Sequence, residues 1–275
     1  LQKNRYHESN IYSGAPMPYM QRITWSGIAL HEGHLPGYPA SHGCIRLPGV
    51  VANTLFALTR VGARVIVSHE PLSPRAFEHD RLFKPILPTA TDAVAMAASA
   101  PMGAGYVINT AAAMPASDDR AFSTAAAADG RVAILISRQT GKIYIRRNFE
   151  PVYEGPVTIR DPDLPLGTHL FTAIGFTAER SSLTWNVVTY PTDDRNIYAS
   201  ASRTRLSDIE RADVAAGVRR SWVTPPGAAL ERVELDPDLL EEIAEVARPG
   251  LSLMITDRGP GRETGKGTEF VIQTR

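Results

Sequence analysis

Residues 87–129 most constrain what this chain can fold into. The run is built from Ala, Pro, Ser, Thr and Gly, in segments such as TDAVAMAASAPMGAG and STAAAADG, with no sustained apolar period. It reads as a linker with one short Ala-rich helix, so the 275-residue chain is expected to fold as two modules, residues 1–86 and 130–275. A composition of 43% hydrophobic residues supplies one large core or two modest ones. Lys+Arg and Asp+Glu balance at 29 each, so no basic field points to nucleic acid and no acidic excess to a solvating tail. No apolar run approaches the roughly 20 residues that span a bilayer. The start LQKNRYHESN also lacks the basic-then-apolar order of a signal peptide.

The two modules differ in period. In the first, GIAL reads as a strand, a Gly/Pro/His loop follows, PGVVANTLFALTRVG reads as a helix, and ARVIVS reads as a second strand. Pro48 suits the helix's first turn, Val51, Leu55 and Leu58 give it an apolar face, and Gly62 is its expected C-cap. In the second module RVAILIS, GKIYIRR and GPVTIR are short β-branched runs broken by turns, which predicts antiparallel strands. LSDIERADVAAGVRR and PDLLEEIAEVA read as helices, and SLMITDRG and TEFVIQTR as strands. The whole is predicted to be α+β, mainly β with short helices.

The chemistry concentrates in HEGHLPGYPASHGCIRLP, residues 31–48, which holds three of the seven histidines and the one cysteine. Three readings compete. His31, His34, His42 and Cys44 are competent zinc ligands. However, His31-Glu32-Gly33-His34 is one residue short of H-E-x-x-H, and Gly33, Pro36, Gly37 and Pro39 forbid the helix that motif needs. A buried inert thiol fits poorly beside Ser41, His42 and Gly43. A catalytic thiol uses more of the residues: a thiol of free pKa near 8.5 needs an imidazole to take its proton, and His31, at the end of the GIAL strand, can approach Cys44 across the loop. Peptide N–H groups of His42, Gly43 and Cys44, next to a helix start, could then form an oxyanion hole.

ASHGCIRLP preceded by IALHEG resembles the signature of the L,D-transpeptidases, the YkuD-domain family, in the form S-H-G-C-I-R-L. The resemblance implies a YkuD-like β-sandwich or barrel. It also implies a cysteine that attacks a carbonyl of a peptidoglycan tetrapeptide stem, leaving an acyl-enzyme resolved by an amine. On this chain Cys44 is then the nucleophile, His31 the base and the backbone carbonyl of Glu32 the orienter of its ring, with His42 and Gly43 shaping the oxyanion site. Ser41 and Arg46 belong to the substrate-binding set, Ser41 by fixing the loop and Arg46 either by pairing with stem carboxylates or by tying down loop carbonyls. YSGAPMPYMQRITWSG resembles the segment before the histidine strand, so Tyr19 and Trp25 would line the cleft.

The family's domain has several strands and a P-x-G-x-F turn ahead of the point where this sequence starts, so the first module reads as the C-terminal half of a catalytic domain. RVAILISRQTGKIYIRRNFEPVYEGPVTIRDPDLPLGTHLFTA resembles that first half, with no S-H-G-C after it. It is read as a second, degenerate YkuD-like module, or as strands completing the first module's sheet. His169 in its turn reads as structural, and GRETGKGTEF lacks the G-x-x-x-x-G-K-[ST] spacing of a nucleotide-binding loop. The expected activity is cysteine L,D-transpeptidation. The alternatives are a hydrolase on the same scaffold and a non-catalytic wall-binding protein. No cofactor, metal, nucleotide or nucleic acid is expected. The partners that the resemblance implies are peptidoglycan stem peptides, with an outer-membrane protein or lipoprotein as a candidate acceptor, in the periplasm or cell wall.

Overall fold

The computed structural model describes residues 2–10, 14–38, 41, 43–68, 71–86, 130–190, 224–265 and 267–272. The linker 87–129 and the helix expected over LSDIERADVAAGVRR lie outside them. The described residues form a mainly β, α+β structure with several sheets and three short helices. Among them no helix is long and apolar enough to cross a membrane. The chain divides into unit 1 (residues 1–72, 148–151 and 258–275) and unit 2 (residues 73–147 and 152–257).

Unit 1 is built on a four-stranded sheet in the order β1 (Lys3–Asn4), β2 (Met20–Arg22), β3 (Ala29–Glu32), β4 (Ile45–Leu47). β1/β2 and β2/β3 are antiparallel, while β3/β4 is parallel, with His31 opposite Arg46 and Glu32 opposite Leu47. A parallel pair needs a long connection, and the loop after β3 supplies it. Pro48, at φ −58°, is the N-cap of helix α1 (Gly49–Leu58). That helix has no side-chain cap of its own. Instead, the Glu32 carboxylate approaches Gly49 so closely that a Cβ there would lie 2.9 Å from Oε1, placing negative charge at the positive helix end. At the other end Lys3 Nζ donates to the carbonyls of Phe56 and Thr59, both at 2.6 Å, satisfying acceptors that the helix leaves unpaired.

Three expectations for this module fail. The apolar face of α1 is not Val51, Leu55 and Leu58, because Val51 is exposed and Leu58 is 77% exposed while Ala52 is the buried contact. The helix ends at Leu58 on Thr59, whose N–H bonds to Leu55 O, so Gly62 is not its C-cap. ARVIVS forms no strand, and Val65, Ile66 and Val67 are exposed.

Unit 2 contains a seven-stranded sheet. In chain order its strands are β5 (Arg75–Phe77), β6 (Val132–Ser137), β7 (Lys142–Arg147), β8 (Glu150–Pro156), β10 (Thr168–Phe176), β11 (Leu183–Tyr190) and β13 (Ser252–Thr256). The spatial order is β5-β11-β10-β13-β6-β7-β8. A small ladder joins β9 (Thr158–Ile159) to β12 (Val233–Glu234). β6 and β7 pair antiparallel as expected, with Ile134 opposite Ile145, but β6 and β13 are parallel. All six residues of β6 are buried, as a strand covered on both faces requires. Helix α2 (Pro226–Arg232) was not expected. Helix α3 (Pro237–Val246) was, and Asp236 caps it by accepting from the Asp238 N–H at 2.9 Å.

The boundaries at 86 and 130 also need correction. Residues 75–77 are a strand of the second sheet, with Trp185 opposite Phe77, so they belong to unit 2. TEFVIQTR is not a strand over its described residues, 268–272, and belongs to unit 1, where Glu269 pairs with Arg64 at 3.7 Å.

Candidate active site

The site grows out of the β3/β4 ladder. Residues opposite one another share a face and successive residues alternate, so His31 and Arg46 lie on one face. Cys44, two residues before Arg46, falls on that same face, where it packs against Met17, Met20 and Ala29. The other face carries Leu30, Glu32 and Gln21 and is covered by α1, with the Thr59 hydroxyl donating to Gln21 Oε1. The strand pairing thus puts on one face two side chains that are 13 positions apart in sequence.

His31 is 8% exposed, and its Nδ1 lies 2.6 Å from the carbonyl oxygen of Glu32. A carbonyl can only accept, so Nδ1 carries the proton and Nε2 keeps its lone pair as a base. The peptide that holds the ring is itself anchored, since the Glu32 N–H donates to Pro18 O at 2.9 Å. The Cys44 thiol is partly buried and donates to Gly27 O at 3.5 Å.

Two glycines let the groups approach. A Cβ on Gly33 would sit 3.1 Å from the Arg46 Cγ and Cδ and 3.4 Å from His31 Cε1, so the imidazole and the arginine stem both run over a surface that only glycine leaves free. Gly43 has φ +131°, and a Cβ there would meet Ile28 Cγ1 at 3.1 Å. Ser41 Oγ donates to Cys44 O at 2.6 Å and accepts from the Gly43 N–H at 3.3 Å, closing the turn before the cysteine. Arg46 Nη1 donates to the carbonyl of His34 at 3.2 Å, so the guanidinium ties down the loop.

Other expected site residues stand elsewhere. Tyr19, at φ +55°, belongs to the helix-covered side: its ring packs on Phe56 at 5.9 Å with the Arg5 guanidinium 5.6 Å from its centroid. It does not stand with Cys44. Trp25 is 44% exposed at the β2–β3 turn. His42 lies outside the described residues. β4 separates Cys44 from the helix start in the chain, and Glu32 sits at the first turn of α1. Among the described residues no three His, Cys, Asp or Glu side chains gather as a metal set.

Sequence reading missed Gly33 as a packing surface and Gly27 as the thiol's acceptor. It also missed Glu263, whose carboxylate accepts from the N–H groups of Trp25 at 2.6 Å and Ser26 at 2.9 Å. Gly33 had a readable signal, a glycine two positions after the candidate base. Glu263 had none, since it is 238 positions from Trp25.

Residues 1–67 match the model of the YkuD family, the L,D-transpeptidase catalytic domain. No curated protein and no solved structure matches the chain significantly.

Proposed function

We propose that the chain is a cysteine L,D-transpeptidase acting on peptidoglycan stem peptides outside the cytoplasmic membrane. The observation that carries this reading is the shared face of His31 and Cys44, with the His31 ring turned by the Glu32 carbonyl so that Nε2 is free to accept. In the first half-reaction the Cys44 proton passes to Nε2 and the sulfur adds to the carbonyl carbon of the stem. The C–N bond then breaks, and the leaving amine takes the proton from the imidazolium. The product is a thioester on Cys44 and a released amine. In the second half-reaction an amine from another stem, or from a protein acceptor, gives a proton to His31 and attacks the thioester, regenerating the thiol. Burial of His31 on one side and the apolar contacts of Cys44 keep both groups in fixed rotamers for this exchange.

Cys44 is the chain's one cysteine, so unit 2 has no thiol chemistry, and we assign it a supporting role. The test is incubation of the full chain with purified muropeptides followed by mass spectrometry. Cross-linked dimers and a thioester adduct on Cys44 are expected. Trimmed monomers would replace this reading with hydrolysis on the same scaffold, and unchanged muropeptides would overturn it.

A further inference from the structure

We infer that Glu263 is a positioning residue for the Cys44 nucleophile, acting from a segment beyond the matched residues 1–67. Both of its carboxylate oxygens accept, Oε2 from the Trp25 N–H at 2.6 Å and Oε1 from the Ser26 N–H at 2.9 Å. Two charge-assisted bonds to consecutive peptide groups fix the orientation of those peptides, not merely the location of the turn. The turn is closed internally as well. Gly27 N–H bonds to Thr24 O at 3.4 Å, Ile28 N–H bonds to Thr24 Oγ1 at 3.0 Å, and Gly27 takes φ +104°. At the end of the same turn Gly27 O accepts the Cys44 thiol at 3.5 Å. The connection therefore runs from the Glu263 carboxylate through the backbone of residues 25–27 to the sulfur.

The segment is itself ordered so that Glu263 can do this. Thr268 Oγ1 donates to Glu263 O at 2.7 Å, Gly261 N–H bonds to Val271 O at 2.8 Å, and Thr264 N–H bonds to Gly261 O at 2.9 Å. These contacts form a compact turn that presents the carboxylate. An S–H···O bond is weak, so the sulfur's rotamer depends on where its acceptor is held. Glu263 holds that acceptor.

The inference rests on the transpeptidase reading for its activity readout, and the experiment separates the two. Glu263→Ala and Glu263→Gln are made in the full chain, with Glu269→Gln, which removes the charge partner of Arg64 in the same segment, as the stability control. Iodoacetamide alkylation of Cys44 at one fixed pH requires no substrate. It is expected to run about threefold faster in the Ala variant, the scale of one weak hydrogen bond, with the Gln variant between because it keeps one acceptor oxygen. In muropeptide turnover kcat is expected to fall with KM unchanged in the same graded order. Glu269→Gln is expected to leave both readouts at the parent value. Equal alkylation rates in the parent and Glu263→Ala, or an equal change in Glu269→Gln, overturns the positioning role. A shift in alkylation with no turnover in any variant, the parent included, supports Glu263 and overturns only the transpeptidase reading.

Discussion

Around β6 in unit 2, Ile134, Ile136, Ile143, Ile145, Leu253 and Ile255 are all shut off from solvent, whereas the buried apolar set beside Cys44 in unit 1 is Met17, Met20 and Ala29. Each fully buried aliphatic side chain contributes about 1.5–3 kcal/mol of transfer free energy, so unit 2 is stabilised chiefly by burial. Unit 1 has little of that. Its sheet is tied by Glu32 and Lys3 at the two ends of α1, by Ser41 on the cysteine turn, by Arg46 on the His34 carbonyl and by Glu263 on the β2–β3 turn. The contrast teaches where each kind of force is useful. Burial holds a sheet without specifying one atom's position, while hydrogen bonds are directional and place individual groups, each adding only about 1 kcal/mol net.

The largest expected effect breaks the comparison at its functional end. Cys44→Ala should lower stem-peptide transfer by on the order of 10³-fold or more while barely moving the urea unfolding curve, because it deletes a nucleophile and only one small packing contact. Next, Phe171→Ala in the core of unit 2 should cost about 3–5 kcal/mol by urea denaturation. Met20→Ala in unit 1 should cost nearer 2 kcal/mol, having fewer neighbours to lose. Equal losses would show that the two cores are equivalent after all. Gly33→Ala should act on the site and not the fold. Its Cβ pushes on Arg46 and His31, and a drop of about tenfold in kcat with under 1 kcal/mol lost is expected from steady-state kinetics and melting.

Acid sharpens the comparison from the other side. Burial pushes the His169 imidazole below its ordinary 6.5, despite the Leu166 carbonyl that accepts from its Nε2–H at 3.0 Å. The unfolded chain then takes up a proton that the folded chain refuses. Stability is fully present above pH 6.5, falls as the pH drops below it, and levels off once the folded imidazole also protonates. Urea midpoints of the parent taken from pH 7.5 to pH 5 should show this slope, and His169→Gln should flatten it. The smallest effect belongs to the exposed Lys142–Glu154 pair at 2.7 Å, where Glu154→Gln should leave the melting temperature unchanged within error.

The candidate site was legible in the sequence because its signals are local. The cysteine and histidines sit within a stretch that forbids a helix, and Pro48 marks where one begins. In unit 2, β6, β7 and α3 form where RVAILIS, GKIYIRR and PDLLEEIAEVA were read as strands and a helix. ARVIVS misled for a physical reason. β-branched composition raises the tendency to extend, but a strand exists only where a neighbour takes its ladder bonds, and this segment forms no strand. TEFVIQTR failed in the same way: the Val271 N–H donates to the Thr264 hydroxyl at 3.1 Å and Val271 O accepts from Gly261, which makes a local turn instead of a strand.

What the sequence by itself determined is the chemistry on offer: one thiol, an imidazole within a loop's reach, and glycines where the backbone must come close. Tertiary structure decided which groups meet. The parallel register of β3 and β4 put His31 opposite Arg46, on the face where Cys44 also falls, and a one-residue slip would have reversed that choice. The strand β2 that follows Tyr19 left that ring on the helix-covered side. Tertiary structure also returned residues 258–275 to unit 1, where Glu263 reaches the turn beneath the thiol. Side-chain identity is written residue by residue. The pairing of distant peptides follows instead from the free energy of the whole packed sheet, which no short stretch of sequence contains.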